Sequence, residues 1–440
     1  MNIKRVLIAN RGEVAKRLIV HYRNLGIETV VAFSEADAEQ SYLDDADFAV
    51  YLNGRRVGET YLDPHRVVGA ALDAGCDAIH PGYCFLAEHV DFYALATNAN
   101  IAIYGCDAMI IAKVVDRARL RRMAKTLGIP LIPGTEPIPV GDDGVAVAAQ
   151  LGFPLFVKAV AGGALARVDS IDDIAEAVAD IRQLARAVSG DSAVFLERAV
   201  DDQRHIGVTV VGDRSGNIVH LGAMDASLEV RYRTWVEELG PTVVPSVADK
   251  ITAASVEISR ALGWTGVGKV RWAVTERGGW YLLGFSARLA TGYSLTEQVH
   301  GVDLLRAQKM ALEGDDIPWT QEDAKLTEHG IQLRVFHVRT EDLSRPTGTL
   351  TKLVIPEGVH TEVGVEEGLV CTEDSEPLLV KLTAVGPTRQ AALVKARAAL
   401  EQLVIEGVDT NLPMLLSLFE DKSFWRGEYD VRTLEPLRGN

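Results

Sequence analysis

A lysine at the end of an apolar run, with glycines just beyond it, is the first place in this sequence where chemistry could sit. Phe153-Pro-Leu-Phe-Val-Lys158 reads as a strand ending in Lys158, and Gly162-Gly163 follow. Glycines let backbone N–H groups close over phosphate oxygens, and a lysine ammonium adds a point charge. Ala164, Leu165 and Ala166 follow the two glycines with side chains that restrict positive φ, so any such grip would be weak. Lys158 alone reads as readily as a solvated strand-end residue. A second group of cations is the run VVDRARLRRMAKTLG (114–128), inside a predicted helix over 107–129; such runs are usually a solvated face. A third is Ser227–Glu238, SLEVRYRTWVEE, whose alternating Arg and aromatic residues read either as an exposed strand or as anion contacts. The cysteines at 76, 84, 106 and 371 form no CxxC pair, so neither a disulfide framework nor a zinc site is expected. No histidine base is spaced to make Cys84 a nucleophile.

The elements that would hold these residues alternate strand and helix. Residues 4–9 are an apolar strand, a helix runs to about Leu25, Gly26 caps it, and 29–34 form the next strand. A βαβ unit of this kind implies a parallel sheet. A helix near 64–74 and short strands at 77–80 and 101–104 continue the pattern. No GxGxxG follows the first strand, so dinucleotide binding has little support. Pro130 and Pro133-Gly134 mark a boundary. Val270–Thr275, the turn Gly278-Gly279 and Trp280–Phe285 read as a hairpin leading into a loop. From about 328 the pattern is β-rich, with strands near 348–355 and 378–385 and a helix over 388–405. The fold class is α/β.

A chain of 440 residues implies two or three domains. Hydrophobic residues make up 48% of it, enough for a large core, and mean hydropathy is +0.08. A net charge of −16 argues against a nucleic-acid surface. No apolar run approaches the roughly 20 residues needed to span a bilayer, and the N-terminus does not read as a signal peptide. These features, with the unpaired cysteines, point to a reducing cytoplasm.

Three segments, IANRGEVAKRL (8–18), AIHPGYCFLAEHVDF (78–92) and GVDTN (407–411), closely resemble segments of biotin carboxylase, and the resemblance is collinear over essentially the whole chain. It implies an N-terminal Rossmann-like domain over 1–113, an ATP-grasp domain over 114–327 with a lid at about 135–205, and a C-terminal domain over 328–440 that helps form a homodimer. It implies nucleotide contacts from Arg117 (a Lys in the family), Lys158, Gly162, Gly163 and His205, with adenine taken by backbone groups at Glu197 and Arg198. Arg288 matches the bicarbonate-binding Arg. Arg334 matches the Arg that stabilises the biotin enolate, or is a structural ion-pair partner. The same frame exposes departures. Arg271, Gly284 and Ser286 stand where the family has Glu, Glu and Asn around magnesium, and Gly292 stands where it has its Glu general base. Thr234 replaces a Lys, and Ala290 and Tyr293 replace a Gln and a His. Gly207 and Thr209 replace an acidic residue and a Gln, and Cys84 replaces a Gly.

Losses clustered in one pocket lead to the expectation of a catalytically degenerate member. It would be a structural or regulatory subunit, partnered with an active biotin carboxylase, a biotin carrier protein or a carboxyltransferase. It would hold no firm cofactor, and biotin would come only through a partner carrier domain. One alternative is an active biotin carboxylase using ATP and Mg²⁺ at a rebuilt metal site, with Glu229, Glu237 and Glu276 as candidate carboxylates. Another is a sensor in which Arg117, Lys158 and Arg271 hold a phosphate-bearing molecule.

Overall fold

The computed structural model describes residues 3–434 apart from 162, 232 and 242, and leaves out the side chains of 188 and 189. Five parallel strands form the first sheet, in spatial order β3-β2-β1-β4-β5: β1 (Arg5–Ile8), β2 (Glu28–Phe33), β3 (Phe48–Tyr51), β4 (Ala78–His80) and β5 (Ala102–Ile103). The helix Gly12–Asn24 crosses from β1 to β2, burying Val14, Ala15, Leu18 and Ile19 against the sheet while its charged face stays outside. The basic run is two helices, Ala108–Val115 and Arg117–Thr126. They break at Asp116, whose carboxylate accepts the Arg119 N–H and caps the second.

A three-stranded antiparallel sheet occupies the segment expected to be the lid: β6 (Leu155–Ala159), flanked by β7 (Leu165–Val168) and β8 (Val194–Arg198). Its core packs the helix Ile174–Ser189 against these strands. Leu165 and Ala166 pair with Lys158 and Val157, so they belong to a strand and not to the glycine loop. The Ala159 N–H donates to the Ala164 carbonyl, which shortens the loop to a tight connection.

The largest sheet has eight antiparallel strands. It starts with β9 (Gln203–Gly212), β10 (Ile218–Val230), β11 (Arg233–Leu239), β12 (Gly266–Thr275), β13 (Trp280–Ser286) and β14 (His329–Phe336). The strands Leu378–Gly386 and His360–Val363 complete it. The spatial order is β13-β12-β9-β10-β11-β14, then 378–386, then 360–363. β11 pairs directly with β14, Val236 opposite Leu333, so the sheet is continuous across residue 328. β11 is therefore central: Trp235 through Glu238 are buried, while Arg231 just before the strand and Arg233 at its start are exposed. No helix among the described residues is long and apolar enough to cross a membrane.

Candidate functional site

Alternation along β12 puts Lys269 and Arg271 on one face of the large sheet, toward a cleft beneath the lid. Two cavities meet there. One, about 580 Å³, lies between lid and sheet, and Arg117, Lys158, Gly163, Glu197, Arg198 and His205 line it. The other, about 630 Å³, contains Ser286, Arg288 and Arg334, with Glu237 and Lys269 beside them. His205, Glu229, Arg271 and Leu283 line both. The structure thus brings the sequence-predicted residues together around one junction. Gly162 lies outside the described residues.

In the first cavity Glu197 organises the cations. Its buried carboxylate pairs with Lys158 and with Arg121. Burial lowers the Lys158 pKa, and Glu197 opposes that shift. Arg117 donates to the Ala159 carbonyl at 3.3 Å, which holds it at the foot of the glycine connection. Gly163 has φ +80, a conformation glycine adopts without strain. At the strand edge expected to meet adenine, the Arg198 and Ala199 N–H groups are already donated to the Pro133 and Pro154 carbonyls. The Arg198 guanidinium turns away, toward the Leu151 carbonyl.

In the second cavity three charged residues lock together. Glu237 accepts from Lys269 Nζ at 2.7 Å and from Arg334 Nη2. All three side chains are nearly inaccessible. Burial alone would raise the Glu237 carboxyl, but Arg334 and Lys269 outweigh it and hold it at about 2. Arg334 also donates to the Thr234 carbonyl and to Gln332 Oε1, each at 3.1 Å. Arg288 is held by Glu88, whose second oxygen accepts the Ala287 N–H at 2.8 Å. Sequence reasoning passed over Lys269 and Glu88. Strand parity with Arg271 was the available signal for the lysine, and Glu88 lies within the recognised 78–92 segment.

The departures are filled by neighbours. A Cβ on Gly207 would overlap Lys269 Cε, one on Gly292 would overlap Glu237 Oε2, and one on Gly284 would lie 3.0 Å from Arg271 Nη2. Each glycine leaves room for a charged side chain from elsewhere. Tyr293 is buried with its hydroxyl on Glu362, which also pairs with Lys381 at 2.8 Å. Cys84 has φ +60 and ψ −149, a conformation otherwise nearly confined to glycine.

The family implies a divalent cation at the hairpin, and the residues present do not fit one. A guanidinium stands at one ligand position and no side chain at another. The surrounding carboxylates are engaged: Glu88 by Arg288, Glu229 by His205, and Glu237 by Lys269 and Arg334. Glu276 lies in the turn after β12, outside the linings of both cavities. Among the described residues no three His, Cys, Asp or Glu side chains cluster to hold a metal. The cations that line the junction suit an anion better than a divalent cation.

Comparison with known proteins agrees with this architecture. The family model "Biotin carboxylase, N-terminal domain" matches residues 2–111. "Carbamoyl-phosphate synthase L chain, ATP binding domain" matches 116–318, and "Biotin carboxylase C-terminal domain" matches 334–436. The chain is 33% identical to a biotin carboxylase of Halalkalibacterium halodurans, over 97% of this chain and 96% of the relative. A solved β-γ-ATP complex of Campylobacter jejuni biotin carboxylase superposes with a TM-score of 0.93 at 28% identity, covering 99% of each chain. The biotin carboxylase domain dimer of Hydrogenobacter thermophilus 2-oxoglutarate carboxylase, in complex with MgADP, ADP and bicarbonate, gives 0.92 at 30% identity, over 99% of this chain and 98% of that one.

These matches overturn the expectation of a non-catalytic structural or regulatory subunit. They run the length of the chain, and the relatives are named as biotin carboxylases, with nucleotide and bicarbonate in a solved neighbour. Sharing about a third of its residues with a full-length relative, and carrying three matching family models in order, the chain belongs to the biotin carboxylase family, the ATP-grasp subunit of biotin-dependent carboxylases.

Proposed function

We propose that the protein is an ATP-dependent ligase that carboxylates biotin borne on a partner carrier protein, with bicarbonate as the carbon source. The observation that carries this reading is the pair of cavities joined at His205, Glu229 and Arg271. Phosphoryl transfer depends on positioning and charge neutralisation, so the phosphates and their acceptor must meet at one cationic junction. Arg117, Lys158, His205 and the connection at Gly163 hold the nucleotide phosphates, and the base lies beside Glu197 and Arg198 without taking the N–H groups of Arg198 and Ala199, which are donated within the protein. Arg288 holds bicarbonate. Arg334 faces the biotin oxygen that gains negative charge when its ring nitrogen loses its proton. Lys269 supplies the ammonium that position 234 lacks.

A bicarbonate oxygen attacks the terminal phosphorus, the bond to the bridging oxygen breaks, and ADP leaves carboxyphosphate behind. The biotin nitrogen then bonds the activated carbon as the carbon–oxygen bond to phosphate breaks; the N–H proton passes to the departing phosphate and the carboxyl proton to solvent. Glu237 is the carboxylate beside Gly292, but Lys269 and Arg334 make it a weak proton acceptor. No step is assigned to a metal. The three-domain division at 113/114 and 327/328, a dimeric state, and association with carrier and carboxyltransferase proteins are part of the same proposal. Support comes from the relatives, among them the small subunit of a 2-oxoglutarate carboxylase.

The test is ADP release by the purified chain with ATP, bicarbonate and a biotinylated carrier domain, alongside transfer of labelled carbon from bicarbonate to the carrier. Turnover that requires both bicarbonate and carrier, and that R288A abolishes, supports the assignment. Absence of label on the carrier under every nucleotide and cation condition overturns it.

A further inference from the structure

Arg271 and Gly284 are register partners on β12 and β13, with Arg271 Nη2 lying where it would crowd a Cβ on Gly284. The Arg271 side chain is exposed, and it lines the junction of the two cavities. Among the described residues it makes no hydrogen bond or ion pair. Its neighbours by charge are Glu88, Arg288 and Glu229. Arg288 already holds Glu88, and His205 Nδ1 lies 3.3 Å from Glu229. Lys158, Lys269, Arg288 and Arg334 each spend their charge on a carboxylate; Arg271 does not. An unpaired guanidinium at the meeting point of two cavities, among cations already paired, is free to take a ligand of opposite sign.

We infer that Arg271 itself grips the terminal phosphates of the nucleotide, and that this chain binds its nucleotide without a divalent cation. The inference rests on the nucleotide-binding reading above and adds how the phosphate charge is met. A guanidinium offers a planar fork of donors that matches two phosphate oxygens. The missing side chain at Gly284 lets that fork lie against the neighbouring strand and face the cleft. The same fixed positive charge repels a divalent cation from the hairpin.

Isothermal titration calorimetry of the full chain with ATP, ADP and AMP decides this, each in EDTA and in excess MgCl₂. ATP and ADP are expected to bind in EDTA at least as tightly as in Mg²⁺. R271A should weaken ADP binding in EDTA about tenfold or more, the loss of roughly one charge-assisted contact, and leave AMP unchanged. R271K, which keeps the charge but not the fork, should fall between. R271E/G284E should bind ADP only with Mg²⁺. If ADP binds the wild type only with Mg²⁺, or if R271A binds ADP in EDTA as well as the wild type, the inference is overturned while the carboxylase reading stands. If no nucleotide binds under either condition, both fall. Should R271A fail to fold, R271K and the wild-type contrast between ADP and AMP in EDTA decide the question.

Discussion

Lys269 Nζ donates to Glu237 Oε1 across 2.7 Å, although their strands stand three places apart in the sheet. The lysine runs through space left by Gly207 on the intervening β9 and passes Met224 Sδ at 3.2 Å. G207A closes that path. It should destabilise the fold by about 1–3 kcal/mol, as overpacking does, and lower ADP release. The two sites should be coupled: on a K269A background the same Gly207 change should cost much less. Equal costs in both backgrounds, measured by denaturant unfolding, would show that Lys269 does not depend on the gap.

Gly292 sits against the Glu237 carboxylate, with Arg334 Nη2 2.9 Å from its hypothetical Cβ. Installing the family's base by G292E should therefore fail to raise turnover. It should also lower the unfolding midpoint, because it forces a second carboxylate against a buried one. Adding E237A should recover part of the stability lost in G292E. A gain in biotin-dependent ADP release by G292E alone would contradict this picture.

Cys84 holds a backbone conformation that costs of order 1–3 kcal/mol for a residue with a Cβ. C84G should be more stable than the wild type by an amount in that range, read from the unfolding midpoint. An unchanged or lower midpoint would mean that contacts of the thiol outweigh the strain.

Burial raises the Glu297 carboxyl from 4.5 to about 7, against the opposing pull of Arg17 and the Leu304 N–H. The folded chain thus retains a proton that the unfolded chain releases. The resulting stabilisation is fully present below 4.5 and is lost as pH rises through about 7, at up to about 1.4 kcal/mol per pH unit. E297Q keeps an oxygen to accept the Leu304 N–H and removes the titration. Thermal unfolding from about pH 5 to about pH 8 should fall more steeply for the wild type than for E297Q. Parallel profiles would assign the pH dependence elsewhere.

The hairpin was legible because its signals are local. Apolar alternation and Gly278-Gly279 predict two strands, and these are β12 and β13. The first βαβ unit was legible for the same reason. The glycine connection was misread because Leu165 and Ala166 join β7 through pairing with β6, a contact that spacing does not reveal. Segment 227–238 was left open between an exposed strand and anion contacts, because the pairing of β11 with β14 comes from residues distant in the chain. The candidate site was half legible. Lys158, His205, Arg288 and Arg334 gather as anticipated from the resemblance. The clustering of lost positions in one pocket led to the non-catalytic expectation, which the full-length matches to biotin carboxylases overturn. What fills Gly207, Gly284 and Gly292 comes from other strands, and one sequence does not show which distant side chain leans into a gap.

The β11–β14 pairing makes one hydrogen-bonded floor beneath both cavities. His205, Glu229, Glu237, Lys269, Arg271 and Arg334 all stand on it. Two reactants bound over this floor keep a fixed separation, whatever the lid does above them. Closure can exclude water and press the nucleotide down, but it cannot bring the two halves of the reaction closer. Severing the chain near residue 328 would not yield two tidy pieces either: it would leave two long unpaired strand edges, each a template for aggregation.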